Sequence, residues 1–275
     1  MKIDRFFHTA KFLVSGVLAV AAASTASAGT TWNFSSCNAT ASNQAALNSG
    51  TFGNSWSCAG AAGTNKVTVT GWGGADITGS TGYQTAYVSP QGGAGFGLAS
   101  KYEGTGVTAP NHAIDNAPTN NTPDLILLKF DSAVALSAVD LGWVGGPTGG
   151  PVDGDFTLMA YGAGNPTLLG KTATNLTTGW SLVENSLGSS ADSRPVNGGA
   201  NTAVGISSSW WLISAYNSNF TSATNDATSD YFKLLSVTSK DLTSKVPEPG
   251  SLALVGAGLL AFMASRRRKA VALAA

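Results

Sequence analysis

Histidine, cysteine and charge are all scarce in this chain, and each shortage removes a class of function. Only two histidines occur in 275 residues. His8 lies in a leader segment, which leaves His112 for the rest. One histidine cannot build a multi-histidine zinc site, and no H-E-x-x-H or G-x-S-x-G run supplies a metalloprotease or a serine nucleophile. In "NHAIDN" the expectation for His112 is a turn ahead of the next strand, with Asp115 or Asn116 bonding local backbone amides. Cys37 and Cys58 are the two cysteines. They are not spaced C-x-x-C, so a redox pair is not expected, and no nearby histidine completes a zinc site. An even pair in an exported chain reads as one disulfide, closing a loop of about twenty residues and worth about 3 kcal/mol. Charged residues make up 11% of the sequence. Seven of the 15 basic and two of the 15 acidic residues fall in the two end segments. Residues 29–245 therefore hold 8 basic and 13 acidic side chains, a formal charge of −5. That excludes nucleic acid as an expected partner. Helical periodicity is almost absent and no internal repeat shows, which excludes a bundle and a solenoid.

The apolar residues that are present concentrate first at the start. Lys2, Arg5 and Lys11 form a basic region, residues 12–23 an apolar one, and Ala26-Ser27-Ala28 a small-residue cleavage site. Residues 1–28 read as a secretory signal peptide, cut by signal peptidase between Ala28 and Gly29.

The other apolar run lies in "VPEPGSLALVGAGLLAFMASRRRK", residues 246–269. Its span, 251–265, is 15 residues and reaches about 22 Å as a helix, short of a ~30 Å hydrocarbon core. Such a segment crosses only by thinning the bilayer or borrowing flanking residues. Arg266, Arg267, Arg268 and Lys269 place its far end in the cytoplasm. Pro247 and Pro249 break any helix and leave Glu248 extended at the outer interface. A permanent anchor would be longer, whereas a short-lived handle needs no more than this. Val246, Pro247, Glu248 and Pro249, the adjoining span and the basic end resemble the PEP-CTERM sorting signal. The resemblance implies that an intramembrane exosortase reads the turn and removes the tail. It also implies a Gram-negative host that makes extracellular polysaccharide, transient anchoring in the inner membrane, and delivery to the cell surface or a biofilm matrix. Residues 270–275 run past the basic cluster, further than is usual for the family.

Gly, Ser, Thr, Asn and Ala dominate residues 29–245, and the apolar runs there are short. "KVTVTGW" (66–72) alternates valine and threonine as a half-buried strand does. "DLILLKFD" (124–131) is a continuous apolar run of buried-strand length. "VDLGW" (139–143) predicts Val139, Leu141 and Trp143 on one core face, and "DFTLMAYG" (155–162) does the same for Phe156, Leu158 and Ala160. "WWLISAYN" and "YFKLLSVT" complete the series, with clusters such as "GGPTGGP" between strands. The fold class predicted is all-β: an antiparallel sandwich of jelly-roll type, flanked by a signal peptide and a short C-terminal transmembrane helix. Residues 29–63 are expected to form a looser edge segment pinned by the disulfide. The order of segments across residues 95–237 also resembles a family of exosortase-dependent surface proteins, which implies one sandwich plus a sorting tail and nothing catalytic.

Two binding chemistries remain open for the sandwich. Asp153 and Asp155 flank a glycine in "VDGDF", and Asp115, Asn116 and Asp124 fall where they could come near them; clustered oxygens of this kind suit calcium. Trp56, Trp180, Trp210 and Trp211 are candidates for stacking on sugars. Trp210 and Trp211 are adjacent, so in a strand they face opposite ways. The reading of the whole is a secreted, exosortase-processed surface or matrix protein, not an enzyme, associated with extracellular polysaccharide. A lectin-like module that uses calcium is the alternative, and a glycan-active hydrolase using acids such as Asp153 and Asp155 is more remote.

Overall fold

The computed structural model describes residues 29–43, 53–60, 65–74, 82–101, 103, 112–116, 122–146, 151–162, 164–199, 205–217, 219 and 229–240, with 257, 258 and 261 near the end. The signal peptide over 1–28 and most of the sorting segment lie outside these residues, and Ala257, Gly258 and Ala261 are helical. Among the described residues no helix is long and apolar enough to cross a membrane. Ala28–Leu242 forms one compact unit.

That unit is all-β and antiparallel. Its strands are β1 (Thr31–Asn33), β2 (Asn38–Asn43), β3 (Gly53–Ala59), β4 (Lys66–Gly74), β5 (Tyr83–Pro90), β6 (Phe96–Ala99), β7 (Ile114–Asp115), β8 (Leu125–Val134), β9 (Leu136–Gly145), β10 (Phe156–Tyr161), β11 (Trp180–Ser186), β12 (Ser193–Pro195), β13 (Ser208–Ala215) and β14 (Tyr231–Ser239). One hydrogen-bonded path runs β11-β10-β13-β8-β4-β5-β6-β14-β9-β12. β5 makes the corner in it. Residues 83–86 pair with β4 in one sheet, and residues 87–90 pair with β6 in the other. The far edge of β14 is shared by three short strands in succession: β7, β6 and β1.

Local pattern explains most of these strands. Val67 and Val69 of β4 point inward while Thr68 and Thr70 stay half-buried. β8 buries both faces. Ile126, Leu128 and Phe130 join the main core, and Leu125 and Leu127 join a second cluster with Tyr83, Met159, Leu168, Leu176, Trp180 and Leu212. The second cluster includes Leu168 and Leu176 from the segment between β10 and β11, so that segment covers the outer face of the sheet. This is why the 124–131 run is continuous rather than alternating. Phe156, Leu158 and Ala160 face the main core as their spacing predicts.

Trp143 does not. Leu141 pairs with Leu234 and Trp143 with Lys233, so Gly142 is an extra residue in β9. This bulge reverses the facing of the residues after it. Val144 packs against the core in place of Trp143, and Trp143 lies half-buried with the Lys233 ammonium 4.6 Å from its ring centroid. In the segment read as a loose edge, Trp32 and Phe34 are fully buried, Trp32 edge-on to Phe130 at 4.8 Å and Phe34 stacked on Phe96 at 5.4 Å. Cys37 and Cys58 are joined as a disulfide, which ties the turn after β1 to β3.

Candidate functional site

The acids singled out in the sequence do not meet in one place. Asp153 and Asp155 come together with Asp230, one carboxylate oxygen from each lying within 4.8 Å of the others. Asp115 instead meets Glu103 and Asp124, by the same measure. The set Asp153, Asp155 and Asp115 is therefore split, because Asp115 pairs in β7 beside Tyr231 while Asp153 bridges to Gly145 at the other side of β14.

Asp153, Asp155 and Asp230 are each at least 97% buried, and backbone groups hold them. The amide of Gly154 donates to Asp153 Oδ1 (2.9 Å), that of Gly188 to Asp155 Oδ1 (2.5 Å), and that of Asp155 to Asp230 Oδ1 (3.2 Å). Asn116 Nδ2 donates to Asp230 Oδ2 (2.5 Å), while Asn116 Oδ1 accepts from the Asp230 amide (3.0 Å). Asn116 thus bonds a backbone amide as expected, but one 114 residues away rather than a local one. The Arg194 guanidinium is anchored beside the cluster, donating to the carbonyls of Gly154, Gly188 and Ser190 at 2.8–2.9 Å. Burial pushes Asp230 up to about 8, and the charges of Asp153 and Asp155 add to that.

The second cluster is less well supplied with donors. The Ser100 amide donates to Glu103 Oε2 at 2.7 Å. Burial pushes the Glu103 carboxyl up to about 7 against that bond. Asp124 is 4% exposed and lies well above the usual carboxylate range, through burial first and then the charges of Glu103 and Asp115. Its Oδ2 is buried with no hydrogen-bond partner. The Asp124 amide donates to the Asp115 carbonyl at 2.7 Å, which holds the start of β8 against β7. His112 is half-buried, and its carbonyl accepts from the Leu98 amide at 3.2 Å.

The four candidate tryptophans are placed unequally. Trp211 is fully buried in the main core, its Nε1 donating to the Ser208 carbonyl at 2.9 Å. Trp180 is 7% exposed and starts β11 instead of lying free in a loop. Neither offers a free stacking face. Trp210 is half-buried, with the Lys129 ammonium 5.1 Å from its ring centroid. Trp56 is half-buried within β3, its Nε1 donating to the Val88 carbonyl at 3.2 Å. A recess of about 170 Å³ opens at the Tyr161 end of β10, where Tyr161 and Trp180 meet at 5.0 Å between ring centroids. Asn165, Asn175, Thr178 and Lys171 also line it.

The sorting segment is contiguous in sequence, and comparison with known families decides it. Residues 245–269 match the PEP-CTERM protein-sorting motif. The chain carries a PEP-CTERM sorting motif. The motif carries export, processing by exosortase and sorting to the cell surface. Val246, Pro247, Glu248, Pro249, Arg266, Arg267, Arg268 and Lys269 all fall inside the matched range and outside the described residues. Ala26 and Ala28 of the signal-peptide site are likewise outside, and Gly29 is the first described residue. No curated protein and no solved structure matches the chain.

Glu103 and Asp230 are the site residues that sequence reasoning leaves without a role. Local pattern sets Asp124 near Asp115 only in outline, and Glu103 and Asp230 carry no local signal. Asp230 contacts Asp155 and Asn116 across 75 and 114 residues of chain.

Proposed function

We propose that this protein is a non-catalytic component of the cell surface or extracellular matrix, held transiently in the inner membrane and released when exosortase removes its tail. The sorting motif at residues 245–269 carries this reading. The burial of the acids supports a structural role. Asp153, Asp155 and Asp230 are at most 3% exposed and spend oxygens on backbone amides, so these three offer no accessible acid–base pair for a glycoside. The test is loss of the host's exosortase. A heavier, membrane-retained form should accumulate, and an unchanged mass and location would sink the reading.

A specific observation favours a second activity, association with extracellular polysaccharide. The recess beside Trp180 presents the half-buried Tyr161 ring with Asn165, Asn175 and Thr178, an arrangement in which Tyr161 can stack on a sugar's apolar face while amides bond its hydroxyls. Trp180 is the one tryptophan from the sequence candidates that lines it. Titration of the exported protein with the producer's own polysaccharide should give saturable binding that Asn175→Ala weakens. Binding that is absent, or indifferent to Asn175→Ala, would remove the recess from the account.

A further inference from the structure

Among the described residues two acidic clusters sit near β14, and one of them holds a buried oxygen without a hydrogen-bond partner. In the cluster of Asp153, Asp155 and Asp230, backbone amides and Asn116 take oxygens of all three side chains, and Arg194 is anchored alongside. In the cluster of Glu103, Asp115 and Asp124, by contrast, Asp124 Oδ2 is buried without any partner. Native proteins rarely leave a buried carboxylate oxygen unsatisfied, so such an atom points to a missing ligand. We propose that Glu103, Asp115 and Asp124 form a site for a hard divalent cation of the calcium class.

Distance and donor type both fit that class. Oxygens bound to one calcium at about 2.3–2.6 Å can lie no more than about 5 Å apart. The oxygens here lie within 4.8 Å of one another. All three side chains are carboxylates, with no sulfur or imidazole in the set to favour zinc. The sequence makes room for the site at Gly73. A Cβ there would stand 2.4 Å from Asp124 Oδ1 and 2.7 Å from the Cβ of Ser100, the residue whose amide holds Glu103. Burial raises the Glu103 and Asp124 carboxyls, and the charges of Glu103 and Asp115 raise Asp124 further.

The position gives the ion a purpose. Glu103 comes after β6, Asp115 lies in β7 of the sheet built on β14, and Asp124 leads into β8 of the other sheet. One cation would clamp both sheets at this end of the sandwich, so that the domain tightens on reaching a calcium-containing exterior. This goes beyond the sorting and polysaccharide readings and stands independently of them.

The full-length chain, purified in detergent and stripped with chelator, is titrated with calcium chloride while thermal unfolding and heat of binding are monitored. Calcium should raise the unfolding temperature, with half-saturation in the range of about 10⁻⁴–10⁻³ M found for extracellular modules. Asp124→Asn and Glu103→Gln should each weaken that response about tenfold or more, and Asp153→Asn should leave it intact. If Asp124→Asn does not fold, the half-buried Glu103→Gln decides alone. The site is overturned by no rise up to about 10 mM calcium, or by a response that survives both substitutions. Loss in Asp153→Asn with retention in Glu103→Gln overturns it too, and an equal response to magnesium overturns the calcium class.

Discussion

The Asp230 cluster makes stability depend on pH in the direction opposite to that of an ordinary surface carboxylate. Asp230 is fully buried, and its folded-state pKa is pushed up to about 8 from an unfolded value of about 3.9. Between about pH 4 and pH 8 the folded chain holds a proton that the unfolded chain has lost. Stability from this group is therefore full below about pH 4 and is lost as pH rises through 8. One proton is worth about 1.4 kcal/mol per pH unit, so the ceiling from pH 5 to pH 8 is about 4 kcal/mol. That is a large part of the 5–15 kcal/mol typical of a domain, and about 2 M in urea midpoint for a slope near 2 kcal/mol/M. The groups facing Asp230 are Asp153, Asp155, Asn116 and the Tyr216 phenol, with Arg194 anchored behind Gly154. Asp153→Asn removes one repelling charge and keeps an oxygen for the Gly154 amide. Urea unfolding in chelator at unit pH steps from 5 to 9 is the assay. Wild type should lose midpoint steadily up to pH 8, and Asp153→Asn should lose less and end higher. Glu103 and Asp124 slope the same way in both proteins, so the difference isolates Asp230. Identical slopes, or a wild-type midpoint that rises with pH, would refute the reasoning.

Adjacent tryptophans give an internal contrast. Trp211→Ala empties a fully buried site and orphans the Ser208 carbonyl, which should cost about 3–5 kcal/mol, whereas half-buried Trp210→Ala should cost about 1 kcal/mol by denaturant unfolding. Trp143→Ala should also cost only about 1 kcal/mol, because the bulge at Gly142 turns it away from the core; a loss near that of Trp211 would contradict the register. Cys37→Ala with Cys58→Ala should lower stability by about 3 kcal/mol, the value for a cross-link between residues 21 apart, and reducing agent should lower wild type by the same amount. Replacing Pro247, Glu248 and Pro249 by alanine should leave the tail attached, seen as the heavier mass by intact-protein mass spectrometry.

Elements were legible in the sequence wherever one strand's own side chains decide its burial. The valine–threonine alternation of β4 marks a strand with one core face, and the unbroken apolar run of β8 marks one covered on both. The sorting motif was legible for a related reason: it is a contiguous stretch of chain, so recognising it waits on no folding. The facing of Trp143 was not legible, because a bulge is a property of two strands. Nothing in "VDLGW" says that Gly142 will go unmatched opposite β14.

The sequence by itself determined an exported all-β chain with a sorting tail and one disulfide, because periodicity, end signals and cysteine count are local quantities. Only the tertiary structure decided which acids meet. Asp153 and Asp155 found Asp230, and Asp115 found Glu103 and Asp124, because β14 lies between β9 on one edge and β7 on the other. Such gatherings depend on sheet order, and strand pairs separated by a hundred residues leave no trace in local pattern.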